Sequence, residues 1–191
     1  ASHELKTPLQ TMMSAISEIE STGRIDENIA ILRTVVSKMA ERMKSLLSLQ
    51  QIESKKYICD MDVFTSNDIL DKIRDEMFSS ARVYSHSVKF DGFSDSGPRV
   101  LCDISRLSTA IMNLFNNSCK YTQPPGTILF KYEISKKEHK FSIIDNGVGI
   151  DEKDQENIFI KFYQVQNNNI RSFGGFGLGL SIVKEIANLH N

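Results

Sequence analysis

The hydrophobic period of this chain changes near residue 55, and that change bounds the folds open to it. Before it, apolar residues recur every three or four positions, the repeat of one helix face. Leu5, Leu9, Met12, Ile16 and Ile19 form one such run. Gly23 breaks it, Asp26 or Asn28 is placed to cap a restart, and Ile29, Leu32, Val36, Met39, Met43 and Leu46 continue it. Two amphipathic helices joined by a short turn make an antiparallel hairpin. A hairpin this small buries little apolar area alone. Pairing two hairpins across a two-fold axis into a four-helix bundle is one remedy, and packing on the rest of the chain is the other.

Beyond residue 55 the pattern mixes. "KYICDMDVF" alternates like a strand, and Ser66 to Arg82 reads as a helix with Ile69, Ile73, Met77 and Phe78 on one side. "SVKFDGF" and "RVLCD" read as short strands. Asp103 caps a helix to about Tyr121, with Ile104, Leu107, Ile111 and Leu114 as its buried stripe. "TILFKYEIS" and "KFSIIDN" read as a hairpin, followed by helices around Asp154–Phe162 and from Leu178. Helices segregated from strands predict an α+β two-layer sandwich, one sheet with helices on one face. The expected domains are therefore residues 1–55 and 56–191.

At 191 residues the chain has room for one ordinary domain or two small ones. A net charge of −1 gives no global field toward nucleic acid or an anionic membrane. No apolar run approaches the ~20 residues of a membrane span. Cys59, Cys102 and Cys119 are scattered and odd in number, which fits a reducing compartment and small core residues rather than a disulfide framework. No CxxC or HExxH pattern occurs. His86, His139 and His190 sit in polar or terminal stretches and read as surface residues.

Three stretches of the second half carry chemistry. On the helix after Asp103, Asn113, Asn116, Asn117 and Lys120 make a second, polar stripe. Asparagine is a poor helix former, so three in one helix mark either a solvated face or a face turned to a nucleotide. On the second reading an amide oxygen serves magnesium and Lys120 serves phosphate. "DNGVGI", Asp145–Ile150, is either an ordinary turn or a carboxylate acceptor beside a close-approach glycine turn, suited to the amine of adenine. "GGFGLGLSIVKEI" places glycine-rich backbone before a helix start, the chemistry of an anion cradle, with a flexible linker as the plainer reading. It is neither a Walker loop nor a strand-first dinucleotide fingerprint.

"SHELKTPL", "NLFNNSCKYT", "DNGVGI", "IFIKFYQ" and "GGFGLGLSI" occur in one order and resemble the H, N, G1, F and G2 boxes of sensor histidine kinases. The resemblance implies an N-terminal dimerisation and phosphoacceptor hairpin, then an ATP-binding sandwich of the type shared with Hsp90, gyrase B and MutL. It implies His3 as phosphoacceptor, Glu4 as its orienting and proton-accepting neighbour, and Thr7 in alignment of water for a phosphatase activity on the partner. Carried over in the same way, Asn117 is the magnesium ligand, and Asn113, Lys120 and Tyr121 are nucleotide contacts. Asp145 reads adenine, with Gly147, Gly149 and Ile150 shaping the pocket. Phe159 and Phe162 pack under a lid at about Gln164–Phe173, Arg171 is the lid cation, and Gly175, Gly177, Leu178 and Gly179 hold phosphates. ATP and magnesium are the implied cofactors. The implied partners are a second copy of the chain and a response-regulator receiver domain, in a cytoplasmic setting, with no nucleic acid and no membrane contact in this stretch.

Helical spacing puts His3 with Thr7, Gln10 and Ser14, away from Leu5, Leu9 and Met12. Pro8 removes a helix hydrogen bond next to the acceptor, so a bend is expected there. Two departures stand out. Phe176 replaces the usual Thr or Ser of the G2 box, and Gln164 replaces an Arg common after the F-box aromatic. The "YQ…R…GG" arrangement is similar to that of hybrid kinases. Family members extend beyond both ends of this sequence, so a catalytic core fragment is expected, with further strands after the last helix. Phe176 and those ends support the alternative of a catalytically weak signalling scaffold.

Overall fold

The computed structural model describes residues 2–53, 59–135, 138–165 and 177–190; the side chains of residues 2–5, 38, 41, 42, 44–46 and 48–53 lie outside that description. Two compact units divide the chain, Ala1–Gln50 and Gln51–Asn191.

The first unit is helical. Helix α1 spans Ser2–Thr22 with Pro8 inside it, and α2 spans Ile25–Glu53. Gly23 N–H donates to the Ile19 carbonyl at 3.0 Å, closing α1. The restart comes earlier than the sequence suggested. Asp26 and Glu27 lie in the first turn of α2, where their charge favours the helix dipole. Asn28 is buried, and its side-chain amide donates back to the Arg24 carbonyl at 2.8 Å instead of capping an N–H.

The second unit begins with strand β1, Asp62–Phe64, shorter than the alternation predicted. Helix α3, Ser66–Val83, opens with a reciprocal capping box. Asp68 N–H donates to Thr65 Oγ1 at 3.0 Å, and Thr65 N–H donates to Asp68 Oδ2 at 2.8 Å. Ile69, Ile73, Met77 and Ala81 recur every four residues and are buried. Phe78 lies to the side, half exposed, with its ring edge-on to Phe90. Strands β2 (Ser87–Asp91) and β3 (Val100–Cys102) follow. Then come α4 (Ile104–Tyr121), β4 (Thr127–Ile134) and β5 (His139–Asp145). The chain ends with a short α5 (Glu152–Gln155), a 3₁₀ turn (Asn157–Phe159) and α6 (Gly179–Leu189). The single helix expected around Asp154–Phe162 is thus two short pieces.

Among the described residues the strands form two sheets, not one. β1 pairs antiparallel with β3, and β2-β4-β5 form a second sheet, with β2 parallel and β5 antiparallel to β4. On the three-stranded sheet the two faces differ sharply. Ile128, Phe130 and Tyr132 are buried and Phe90, Phe141 and Ile143 pack beside them, against Ile69, Ile73 and Met77 of α3 and Phe115 of α4. Phe93 adds its ring 4.7 Å from Phe130. Lys89, Asp91 and Glu133 face solvent, with Lys131 pairing Glu133 at 2.9 Å. One apolar face under helices and one charged face in water is the expected two-layer sandwich. Each buried Phe or Ile contributes ~1.5–3 kcal/mol by leaving water.

Helix α4 is fastened at both ends by histidines that the sequence placed at the surface. At its start Arg106 N–H donates to Asp103 Oδ1 at 3.0 Å, a side-chain cap. Asp103 N–H in turn donates to His190 Nε2 at 3.0 Å, while His190 Nδ1 donates to the Ile186 carbonyl. Toward its end, His86 Nε2 donates to the Cys119 carbonyl at 3.0 Å, and Gly126 N–H donates to His86 Nδ1 at 3.1 Å. Both rings use both nitrogens. His139 is exposed, with Nδ1 against the Tyr132 hydroxyl at 2.8 Å.

Candidate nucleotide site

Helix α4 organises the candidate site. Its buried stripe is Ser108, Ile111, Met112, Phe115, Ser118 and Cys119, turned from the stripe read in the sequence, so Leu107 and Leu114 are only partly buried. That rotation leaves Asn113, Asn116, Asn117 and Lys120 half-buried along the rim. Asn113 Nδ2 donates to the Thr109 carbonyl at 2.9 Å, and Oδ1 accepts no hydrogen bond among the described residues. That oxygen lies 3.0 Å from where a side chain on Gly179 would begin, so α4 meets the first turn of α6 there. Among the described residues the side chains of Asn117 and Lys120 make no hydrogen bond or ion pair.

At the other end of α4 lies the turn after β5. Asp145 Oδ2 accepts from the Ser118 hydroxyl at 2.6 Å, and Oδ1 accepts from Gly147 N–H at 2.9 Å. Val148 N–H donates to the Tyr121 carbonyl at 3.2 Å, and Thr127 N–H donates to Asn146 Oδ1 at 3.1 Å. These bonds hold the Asp-Asn-Gly turn against the helix end. A Cβ on Gly147 would fall 2.6 Å from the Tyr121 carbonyl and 2.9 Å from Asp145 Oδ1, closer than any side chain tolerates. Gly149 and Ile150 continue the turn outward, and Ile150 is exposed. Burial, then the neighbouring Asp145 charge, push the Cys119 thiol up to about 11. Cys119 is therefore a core thiol, not a nucleophile.

The third part joins the F and G2 stretches. Phe162 N–H donates to the Gly177 carbonyl at 2.9 Å. A Cβ on Gly177 would collide with the Tyr163 carbonyl. Phe162 itself has φ +67, a left-handed conformation that costs a bulky residue energy, and it is 47% exposed. Tyr163 donates its hydroxyl to the buried Asp154 at 2.5 Å, and this bond raises the tyrosine pKa. Leu178 is buried, and α6 starts at Gly179 with its first N–H groups beyond the reach of intrahelical partners. Phe159 is partly buried. Arg171, Gly175, Phe176 and nearly all of the expected lid lie outside the described residues.

A carboxylate acceptor and a helix N-terminus thus sit at two points along one helix. Asn113 and Ser118 are five residues apart, a rise of ~7.5 Å, the scale of a nucleoside. Between them Asn117 offers one hard amide oxygen. A single protein oxygen suits magnesium, which keeps several waters and takes its other ligands from phosphates. Among the described residues no group of three or more His, Cys, Asp or Glu could hold a metal by itself. Ser118 went unnoticed in the sequence. A serine beside Asn117 carries no signal until β5 delivers a carboxylate from 27 residues away.

In the hairpin, Thr7, Gln10 and Ser14 are exposed, in keeping with the polar face expected there, but Leu9 is half exposed too. His3 and Glu4 lie in α1, with side chains outside the description.

Residues 102–191 match the family described as histidine kinase-, DNA gyrase B-, and HSP90-like ATPase. The chain is 28% identical over 196 residues to the sensor histidine kinase WalK of Bacillus subtilis, covering 99% of this chain and 32% of that protein. It is 30% identical over 203 residues to the sensor-like histidine kinase SenX3 of Mycolicibacterium smegmatis, covering all of this chain and 50% of that protein. The chain therefore spans a third to a half of these relatives. The structure superposes on histidine kinase ThkA, solved in complex with response regulator protein TrrA, with a TM-score of 0.77. That match has 19% identity and covers 99% of this chain and 53% of the other. No helix among the described residues is long and apolar enough to cross a membrane.

Proposed function

We propose that this chain, whose residues 102–191 match the histidine kinase-, gyrase B- and HSP90-like ATPases, is the catalytic region of an ATP-dependent protein-histidine kinase of a two-component system. The observation that carries this reading is the single helix α4. It joins a fixed carboxylate, Asp145, to an anion-favouring helix start at Gly179, with Asn117 and Lys120 between.

Asp145 accepts the amine of adenine, and Gly147, Gly149 and Ile150 border the ring. Tyr121, Lys120 and Asn113 contact the nucleotide along its length. The backbone at Gly175, Gly177, Leu178 and Gly179 receives the phosphates, and the α6 dipole favours their charge. Phe162 would pack under the lid, and Arg171 would supply its cation to the γ-phosphate. Asn117 would hold magnesium, which when bound neutralises phosphate charge. His3 attacks the γ-phosphorus through an unprotonated ring nitrogen. The phosphoryl group moves to that nitrogen and ADP leaves with the electron pair of the broken P–O bond. Glu4 takes the proton from the far nitrogen. The phosphoryl group then passes to a receiver aspartate of a response regulator, the kind of partner named in the ThkA complex. Thr7 aligns water for the separate hydrolysis of the partner's aspartyl phosphate, which releases inorganic phosphate. The chain works as a homodimer through its hairpin, in the cytoplasm.

The test is incubation of the intact protein with γ-labelled ATP and magnesium. The expected product carries an acid-labile, alkali-stable label that disappears in His3→Gln. Nucleotide binding with no transferred label sinks the kinase reading. Absence of nucleotide binding supports the scaffold, to which Phe176 also points.

A further inference from the structure

We propose that Ser118 is a positioning residue that fixes the plane of the Asp145 carboxylate and so sets the choice of base, an inference that rests on Asp145 as the adenine contact.

Ser118 is 8% exposed and follows Asn117 on α4. Its hydroxyl lies 2.6 Å from Asp145 Oδ2, the short range of a bond from a hydroxyl to a charged acceptor. The other oxygen, Oδ1, is held at 2.9 Å by Gly147 N–H. Gly147 is itself wedged against the Tyr121 carbonyl. One donor from the helix and one from the turn thus hold the two oxygens separately, and rotation of the carboxylate would break both bonds. The carboxylate still has unused lone pairs, since two oxygens offer about four acceptor sites.

The consequence is chemical selectivity. Ser118 has one proton and gives it to Asp145, so it has none for a ligand. Thr122 Oγ1 is buried beside Gly147, out of reach of solvent, and makes no hydrogen bond among the described residues. The face shown by Ser118 and Asp145 therefore consists of acceptors. A base with an exocyclic amine finds a partner there. A base with a carbonyl at the same place sets oxygen against oxygen, and Asp145 cannot turn aside while Ser118 holds it.

Magnesium-ADP and magnesium-IDP, which differ by amine against carbonyl, are the probes, titrated calorimetrically into the intact protein. In Ser118→Ala the carboxylate is free to rotate and hydrate. ADP binding should weaken about 5–10-fold, while IDP binding changes less than ~2-fold. In an Asp145→Asn background, Ser118→Ala should alter ADP affinity less than ~2-fold, because the group it acts through has changed. Equal weakening of ADP and IDP in Ser118→Ala would mark a general packing loss and overturn the proposal. So would unchanged ADP binding in Ser118→Ala alongside a loss in Asp145→Asn, with the adenine reading left standing. If Asp145→Asn itself leaves ADP binding unchanged, the adenine reading fails and this proposal with it.

Discussion

A methyl group on Gly147 would lie 2.6 Å from the Tyr121 carbonyl, with Asp145 Oδ1 and Thr122 Oγ1 also within 3.1 Å. Backbone on one side and the held carboxylate on the other leave it nowhere to go. Gly149 poses the opposite problem, with φ +71 but open space around it. Alanine at 149 should cost ~1–2 kcal/mol of backbone strain and weaken ADP binding less than alanine at 147, since no protein atom crowds its methyl. Alanine at 147 should cost ~1–3 kcal/mol of stability by overpacking. It should also weaken ADP binding, since the turn that carries Asp145 must shift. Thermal melts and ADP titrations of the two variants separate these effects; equal ADP affinities would remove Gly147 from the site. At this scale the sequence was legible where a residue's own chemistry decides, as with glycine in "DNGVGI". It was illegible for His86 and His190, whose partners Cys119 and Asp103 lie 33 and 87 residues away. Nothing local distinguishes such a histidine from a solvated one.

Among the elements, α3 was legible nearly to its ends from an apolar residue every fourth position, and the structure adds an equally local Thr-x-x-Asp start. The capping box carries a pH signature. The Thr65 backbone N–H, then its hydroxyl, hold the Asp68 pKa below 3.8. A lowered folded-state value means that the carboxylate contributes stability above the unfolded value and loses it as pH falls through the folded value. Asp68→Ala should therefore lower the melting temperature at neutral pH, with the difference shrinking below pH 3.8. Thr65→Ala removes the hydroxyl cap and should cost ~1 kcal/mol. A pH-independent gap for Asp68→Ala would mean that the carboxylate charge is not what caps α3. Helix α4 was harder. Its apolar residues permit two stripes a fraction of a turn apart, and packing of Phe115 and Cys119 into the core decides between them. The sheet was misread for a related reason: β1 and β3 are three residues each, too short for alternation to say which partner they take.

For the whole molecule, the hairpin poses the remaining energetic question. Leu9 and Ile16 on α1 are seven residues apart, and so are Ile29, Val36 and Met43 on α2. All five are between 40% and 56% exposed. A seven-residue apolar repeat is the seam of a helical bundle, and a seam left in water forfeits the burial that would hold two helices together. The core of the second unit, by contrast, buries Phe115, Phe130, Ile69 and Ile73 almost completely. That contrast favours a second hairpin as the cover, which also gives a four-helix bundle its usual number of helices. Sedimentation equilibrium of the intact protein should then give a dimer mass. Ile16→Glu with Val36→Glu places two charges from each chain in the seam, and burial of an unpaired carboxylate costs several kcal/mol. The double variant should sediment as a monomer, with ADP affinity within ~2-fold of the parent because the second unit keeps its own core. A dimer that survives the two glutamates would place the interface elsewhere. A monomeric parent would mean that the seam is covered by something other than a second copy.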